Sequence, residues 1–218
     1  MSSDLDHERL TVLVHEVRSP VAALSAVAEA AAGAPTGDLP GRELARLALA
    51  ACRAIERIVM DIAVASVRTE PIDVSALARD AGAAFSARGA SVVNEGDGHP
   101  LVVDADPVRL RQVLDNLIAN ALTHAGSGCA VTVRVAATLG NVEIAVSDDG
   151  RGIPFDQLVR IFEPGVRLDA DTTGSGLGLA LSRAIVEAHG GTIAVDSIVG
   201  AGSTLSIVLP GHQSHPAT

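Results

Sequence analysis

The sequence predicts a two-part chain of α plus α/β sandwich class. A helical hairpin occupies residues 1–68, an α+β sandwich with helices on one face of a mixed sheet occupies 69–211, and a short tail runs over 212–218. Three observations carry this. Apolar residues recur at steps of three and four through the first part. After Thr69-Glu70-Pro71, short alternating runs interleave with helical ones. Two glycine-rich loops, Asp148-Asp149-Gly150-Arg151-Gly152-Ile153-Pro154 and Gly174-Ser175-Gly176-Leu177-Gly178-Leu179, follow near the C-terminal end.

In the first helix the apolar stripe is Leu10, Leu13, Val14, Val17, Val21, Leu24, Ala28 and Ala31. In the second it is Leu44, Leu47, Ala51, Ile55, Ile58, Ile62 and Ala65. The breaker-rich stretch from Gly33 to Gly41, with Pro35 and Pro40, reads as the turn between them. A lone hairpin would leave much of both stripes in water. Pairing two hairpins into a four-helix bundle covers them, so a homodimer is expected.

The second part begins with a helix from Ser75 to Ser86, then short strands at Val92-Val93 and Leu101-Val102-Val103. Asp106-Pro107 reads as a helix start, an N-cap carboxylate followed by proline at the first helical position. That helix runs to about His124. Val131 to Val135 and Val142 to Val146 alternate as strands, with Leu139-Gly140-Asn141 as the hairpin signal between them. A helix from Gly176 to His189 and a last strand pair, Thr192 to Asp196 and Ser203 to Leu209, complete the sandwich.

Composition narrows the possibilities. With 48% apolar residues, three Phe and no Trp or Tyr, the core must be aliphatic. No apolar run is long enough to cross a membrane and no basic-then-apolar leader opens the chain, so a soluble cytoplasmic chain is expected. A net charge of -10 argues against binding a nucleic-acid backbone. Cys52 and Cys129 lack metal-ligand spacing and read as free buried thiols. The tail from His212 to Thr218 is expected to be disordered, its two histidines incidental.

The glycine loops carry the chemistry. The first follows an apolar strand and opens on Asp148, a carboxylate placed to accept an exocyclic amine, while Gly150 and Gly152 let a base approach the backbone. The second leads into an amphipathic helix whose N-terminal N–H groups and dipole favour phosphate. Asn116 and Asn120 lie four apart on one helix face, and amide oxygens can ligate a hard cation such as Mg²⁺. Each feature also has a plainer origin: a capped tight turn, close helix packing, or asparagines bonded within a core.

Their order resolves the choice by resemblance. The stretch from Leu110 to Ala121 is similar to the N box of histidine kinases, Asp148 to Gly152 to their G1 box, Phe162-Glu163-Pro164 to their F box, and Gly174 to Leu179 to their G2 box. Residues 71–210 thus resemble the ATP-binding domain, of Bergerat type, shared by histidine kinases, type II topoisomerases, Hsp90-type chaperones and mismatch-repair ATPases. The resemblance implies Asp148, with Gly150, Gly152 and Ile153, at the adenine; Asn120 and Asn116 on Mg²⁺; and Gly174, Gly176, Leu177 and Gly178 beside the phosphates of ATP. It makes Glu163 to Ser175 an ATP lid. The family usually carries Lys or Arg where this chain has Thr123, and Arg167 is a candidate replacement. Topoisomerase- and chaperone-type relatives carry a water-activating glutamate where Asn116 stands, which argues against a plain ATPase.

An acceptor other than water is then expected, and the first helix offers His15-Glu16-Val17-Arg18-Ser19-Pro20. On the helical wheel His15 lies roughly 150° from the centre of the apolar stripe, which directs it to solvent. Glu16 can hold the ring tautomer, Arg18 can meet phosphate oxygens, and Ser19 shares the face one turn on. Pro20, costing about 3 kcal/mol inside a helix, marks a bend beside the histidine. The hexapeptide resembles the H box of the largest histidine kinase class. That implies His15 as phosphoacceptor, Glu16 as general base, and Ser19 where Thr or Asn usually positions water for dephosphorylation. The expected function is ATP-dependent autophosphorylation of His15, then transfer to an aspartate of a response regulator receiver domain, with a separate sensory partner as one source of the signal. A non-enzymatic histidine phosphotransfer protein and a serine kinase of the same ATPase group are the alternatives.

Overall fold

The computed structural model describes residues 67–87, 90–95, 99–125, 129–166 and 176–212, together with 21, 24, 48, 50–52, 54, 55 and 58. The chain divides into two compact units, 1–62 and 63–218. In the first, Val21, Leu24, Ala48, Ala50, Ala51, Cys52, Ala54, Ile55 and Ile58 are all helical. Ala51 and Ile58, seven apart on the expected stripe, are buried, whereas Val21 is exposed. The turn at 33–41, the pairing of hairpins, and His15, Glu16, Arg18 and Ser19 lie outside the described residues. Among the described residues no helix is long and apolar enough to cross a membrane.

The second unit contains β1 (Glu70–Asp73), α1 (Val74–Ser86), β2 (Val92–Glu95), β3 (Val102–Ala105), α2 (Pro107–Ala125), β4 (Val131–Thr138), β5 (Asn141–Asp148), α3 (Gly178–Ala188), β6 (Thr192–Ile198) and β7 (Gly202–Pro210). Short 3₁₀ turns at Phe155–Gln157 and Arg160–Phe162 precede α3. The main sheet has the order β2-β4-β5-β7-β6, parallel only between β2 and β4. This is the mixed sheet with helices packed on it that the alternating pattern predicts.

Three expectations need correction. Glu70-Pro71-Ile72-Asp73 is not merely a boundary but a strand, paired antiparallel with β3 in a separate two-stranded ribbon. Pro71 hid it, because a residue without an N–H survives only at an edge. His212 is ordered: its N–H donates to Val102 O at 2.8 Å and its Nδ1 lies 2.9 Å from Asp104 Oδ1, so of the tail only 213–218 lie outside the described residues. Neither cysteine is fully buried. Cys52 is one residue, about 100°, past the stripe position Ala51, and Cys129 follows α2 on its approach to β4.

Two aspartates fix the helices. Asp73 Oδ1 accepts from Ser75 N and Ala76 N at 2.9 and 3.4 Å, capping α1, and from Leu101 N at 3.2 Å, tying that cap to the entry of β3. Asp106 Oδ1 accepts from Val108 N and Arg109 N, both at 3.0 Å, so α2 starts where an N-cap aspartate followed by Pro107 predicts. Spacing then decides what each helix buries. Val74, Ala78 and Ala81 of α1, Leu110, Val113, Leu114, Leu117, Ile118 and Ala121 of α2, and Ile185 and Val186 of α3 are all at most 3% exposed. They meet Val142, Ile144 and Val146 of β5 and Leu205, Ile207 and Leu209 of β7 in one aliphatic core. Each buried leucine or isoleucine contributes about 1.5–3 kcal/mol. The half-exposed Arg111–Asp115 pair at 2.8 Å adds at most about 1 kcal/mol, so packing, not surface charge, holds α2.

Candidate nucleotide site

Helix α2 is the spine of the site, because both glycine loops press against it. Gly150 lies on its C-terminal end: an added Cβ would collide with Ala125 Cα and come within 2.9 Å of Ala125 O. Gly178, the first residue of α3, lies on its middle, and a Cβ there would collide with Asn116 Oδ1. Asn116 and Ala125 are nine residues apart, about 13 Å at 1.5 Å per residue. The two loops are therefore held apart along one rigid rod, with Asn120 between them.

The first loop is set by the sheet. Val142, Ile144 and Val146 alternate toward the helices, and Asp148 shares their face by the same period of two. One carboxylate oxygen, Oδ1, accepts Gly150 N–H at 2.9 Å. The other receives no hydrogen bond from the described residues, and the side chain is half-buried. The β6–β7 turn supports the rest of the loop. Arg151 O accepts Gly200 N–H at 2.7 Å, Gly152 lies against Ile198 O, and Ile153 N donates to Ser197 Oγ at 2.7 Å. Ser197 in turn donates to Gly202 O at 2.9 Å.

The second loop opens α3. Gly174 lies outside the described residues, while Gly176 O accepts Gly165 N–H at 3.1 Å. Leu177 is the N-cap residue, its carbonyl accepting Leu181 N–H at 2.9 Å, and its own side chain makes no capping hydrogen bond. A helix N-terminus of this kind points its first-turn N–H groups and dipole toward an anion. The Phe162-Glu163-Pro164 segment is anchored to α3 by Arg183, whose guanidinium carbon lies 5.9 Å from the Phe162 ring centre. Of the expected lid, 167–175, including Arg167, lie outside the described residues.

The two asparagines are both half-buried but differ in company. Asn116 Nδ2 donates to Ser182 Oγ of α3 at 2.8 Å, whereas Asn120 makes no side-chain hydrogen bond to the described residues. Sequence reading missed Ser182, which sits at 2% exposure on the helical face otherwise filled by Ile185 and Val186. A buried hydroxyl among aliphatic residues was the available signal. Thr123 Oγ1 donates to Ala119 O at 2.7 Å, within its own helix. A cation at this end of α2 is Arg151, whose Nη2 lies 3.1 Å from His124 Nδ1.

Cys129 lies behind the first loop, its Sγ 2.9 Å from Ala125 O. Burial raises its pKa, and Asp149, by hydrogen bond and charge, and Asp148, by charge, raise it further. It therefore stays a neutral thiol rather than a nucleophile. The residues that remain suit a magnesium nucleotide: a carboxylate oxygen and a half-buried amide unpartnered among the described residues, a helix N-terminus, and glycines where a side chain would fill the space.

The comparisons agree with that chemistry. Residues 105–213, half of the chain, match the histidine kinase-, DNA gyrase B- and HSP90-like ATPase family. The chain belongs to this family. It is 30% identical to the sensor protein IrlS of Burkholderia pseudomallei over 93% of this chain and 46% of that one. Mycobacterial sensor histidine kinase MprB superposes with a TM-score of 0.60 at 30% identity, covering 67% of this chain and all of that one. Full-length ShkA, solved with AMPPNP, gives a TM-score of 0.66 at 25% identity over 96% of this chain and 47% of that one. The chain spans less than half the length of the curated relatives it matches. The ATP-binding domain of this ATPase family is thus present, on the mixed sheet described above.

Proposed function

We propose that this chain is the catalytic core of a two-component histidine kinase, which autophosphorylates on His15 with ATP and passes the phosphoryl group to a response regulator aspartate. The observation that carries the reading is the arrangement along α2, with glycine loops at Asn116 and Ala125 and, between them, the Asn120 amide that no described residue engages. The similarity to IrlS and MprB, a named sensor protein and a named sensor histidine kinase, supports a kinase over the other branches of the family.

On this reading Asp148 accepts the adenine amine, and Gly150, Gly152 and Ile153 form the floor beneath the base. Asn120 and Asn116 offer amide oxygens to Mg²⁺, which when bound neutralises phosphate charge and holds the phosphates in line. Gly174, Gly176, Leu177 and Gly178 present backbone N–H groups to the same phosphates. The His15 ring nitrogen takes the γ-phosphoryl: an N–P bond forms, the bond to the β–γ bridging oxygen breaks, and ADP leaves. Glu16 receives the proton of the other ring nitrogen, while Arg18 and Ser19 line the acceptor. The hairpin pairs as a homodimer, and a receiver domain is the partner that takes the phosphoryl group on.

The test is labelling with γ-phosphate-labelled ATP. His15→Gln is expected to abolish acid-labile incorporation while binding ATP as the wild type does, and Asp148→Asn to lose binding itself. Undiminished labelling of His15→Gln, or an acid-stable product, would overturn the assignment.

A further inference from the structure

The Asn116–Ser182 contact joins the two helices at the point where the phosphate loop enters α3. An asparagine amide has two ends of opposite character, and its terminal torsion is broad and nearly two-fold. An asparagine meant to offer oxygen to a cation can therefore present its NH₂ instead. In this chain one end is fixed. Asn116 Nδ2 donates to Ser182 Oγ at 2.8 Å, and Ser182 is only 2% exposed, on the inner face of α3. The oxygen end, Oδ1, is held against Gly178, where an added Cβ would also come within 3.0 Å of Cγ and Nδ2. Asn120, one turn along, has no such anchor among the described residues.

We infer that Ser182 is a positioning residue for the metal site: by holding the Asn116 NH₂, it keeps the amide oxygen at the phosphate-binding end of α3. The inference rests on the reading of the site as Mg²⁺–ATP. The Ser182 hydroxyl acts as acceptor for Asn116 and does not touch the metal. Removing it leaves a half-buried NH₂ without its partner and frees the amide to turn over. Partners that orient metal ligands in this way are worth about tenfold or more in metal affinity.

The experiment measures ATP binding by calorimetry at a series of Mg²⁺ concentrations and in EDTA, using the full chain. Ser182→Ala and Ser182→Val remove the hydroxyl, and Ser182→Thr keeps it at the volume of valine. Circular dichroism melts verify that each variant is folded. The expected result is a half-saturating Mg²⁺ concentration raised about tenfold in the Ala and Val variants, metal-free ATP binding within about twofold of wild type, and wild-type Mg²⁺ dependence in the Thr variant. Unchanged Mg²⁺ dependence in both Ala and Val overturns the inference alone. So does a parallel fall of metal-free and Mg²⁺-dependent binding, which marks a purely structural serine. ATP binding by the wild-type chain that ignores Mg²⁺ overturns the site reading and the inference with it.

Discussion

His189 Nε2 accepts the backbone N–H of Asp106 at 2.9 Å, which closes the C-terminal end of α3 onto the N-terminal end of α2. The other ring nitrogen, Nδ1, lies 2.7 Å from Ile185 O and donates to it, so both ring nitrogens are committed to hydrogen bonds. Asp106 is itself a junction, since its Oδ2 accepts Arg68 N–H at 3.1 Å, from the segment that enters this unit. Together with Asn116 and Ser182 in mid-helix, the histidine clamps α3 to α2 at a second point. That second clamp sets the direction in which the N-terminus of α3 is presented to the site.

Replacing His189 by leucine keeps the bulk and removes both hydrogen bonds. Asp106 N–H is then left without its partner in a buried region, where an unpaired group costs about 1–3 kcal/mol, while Ile185 O keeps the backbone N–H of residue 189. We expect His189→Leu to shift the urea midpoint downward by a corresponding amount with an unchanged slope. A midpoint equal to the wild type's would show that the clamp contributes nothing to stability.

Much of this unit was legible in the sequence, and the exceptions share a cause. Asp106-Pro107 announces α2 because N-cap and proline chemistry are local, and the strand pair around Leu139-Gly140 declares itself by alternation on both sides of a turn. The β1 strand does not, because its pairing with β3 is decided some thirty residues later, by which partner it meets. The nucleotide loops could be read because a close backbone approach demands glycine. Ser182 showed only as a hydroxyl among aliphatic residues and His189 not at all, since what makes each of them matter is a partner 66 or 83 residues away. Arg151 was visible as part of a glycine loop, but its place beside His124, next to the position of Thr123, needed the fold.

Gly178 offers a direct probe of the phosphate end. An alanine there would ordinarily favour a helix, by about 1 kcal/mol over glycine. In this chain its Cβ would strike the Asn116 amide, so the two effects oppose each other. We expect Gly178→Ala to melt no higher than the wild type and to bind Mg²⁺–ATP at least tenfold more weakly, about 1.4 kcal/mol or more. Wild-type affinity in this variant would mean that Asn116 can move aside without cost.

The acid dependence of stability isolates Asp106. Burial pushes its pKa up, but the N–H groups of Arg68, Arg109 and Val108 and the charge of Arg109 outweigh that and lower it. Because the folded value is below the unfolded one, ionised Asp106 stabilises the protein at every pH above the ordinary carboxylate value of about 3.9. That contribution is lost as pH falls through the lowered folded value. Asp106→Asn keeps the Oδ1 acceptor for Val108 and Arg109 but has no charge, and its NH₂ faces the donor N–H of Arg68. We therefore expect the variant to be less stable than the wild type near neutrality. The gap should stay constant down to about pH 5 and narrow steadily below the ordinary carboxylate value. Urea unfolding of both proteins across this range measures the gap, and one that widens in acid would mean that the carboxylate is destabilised in the fold rather than held by its three N–H donors.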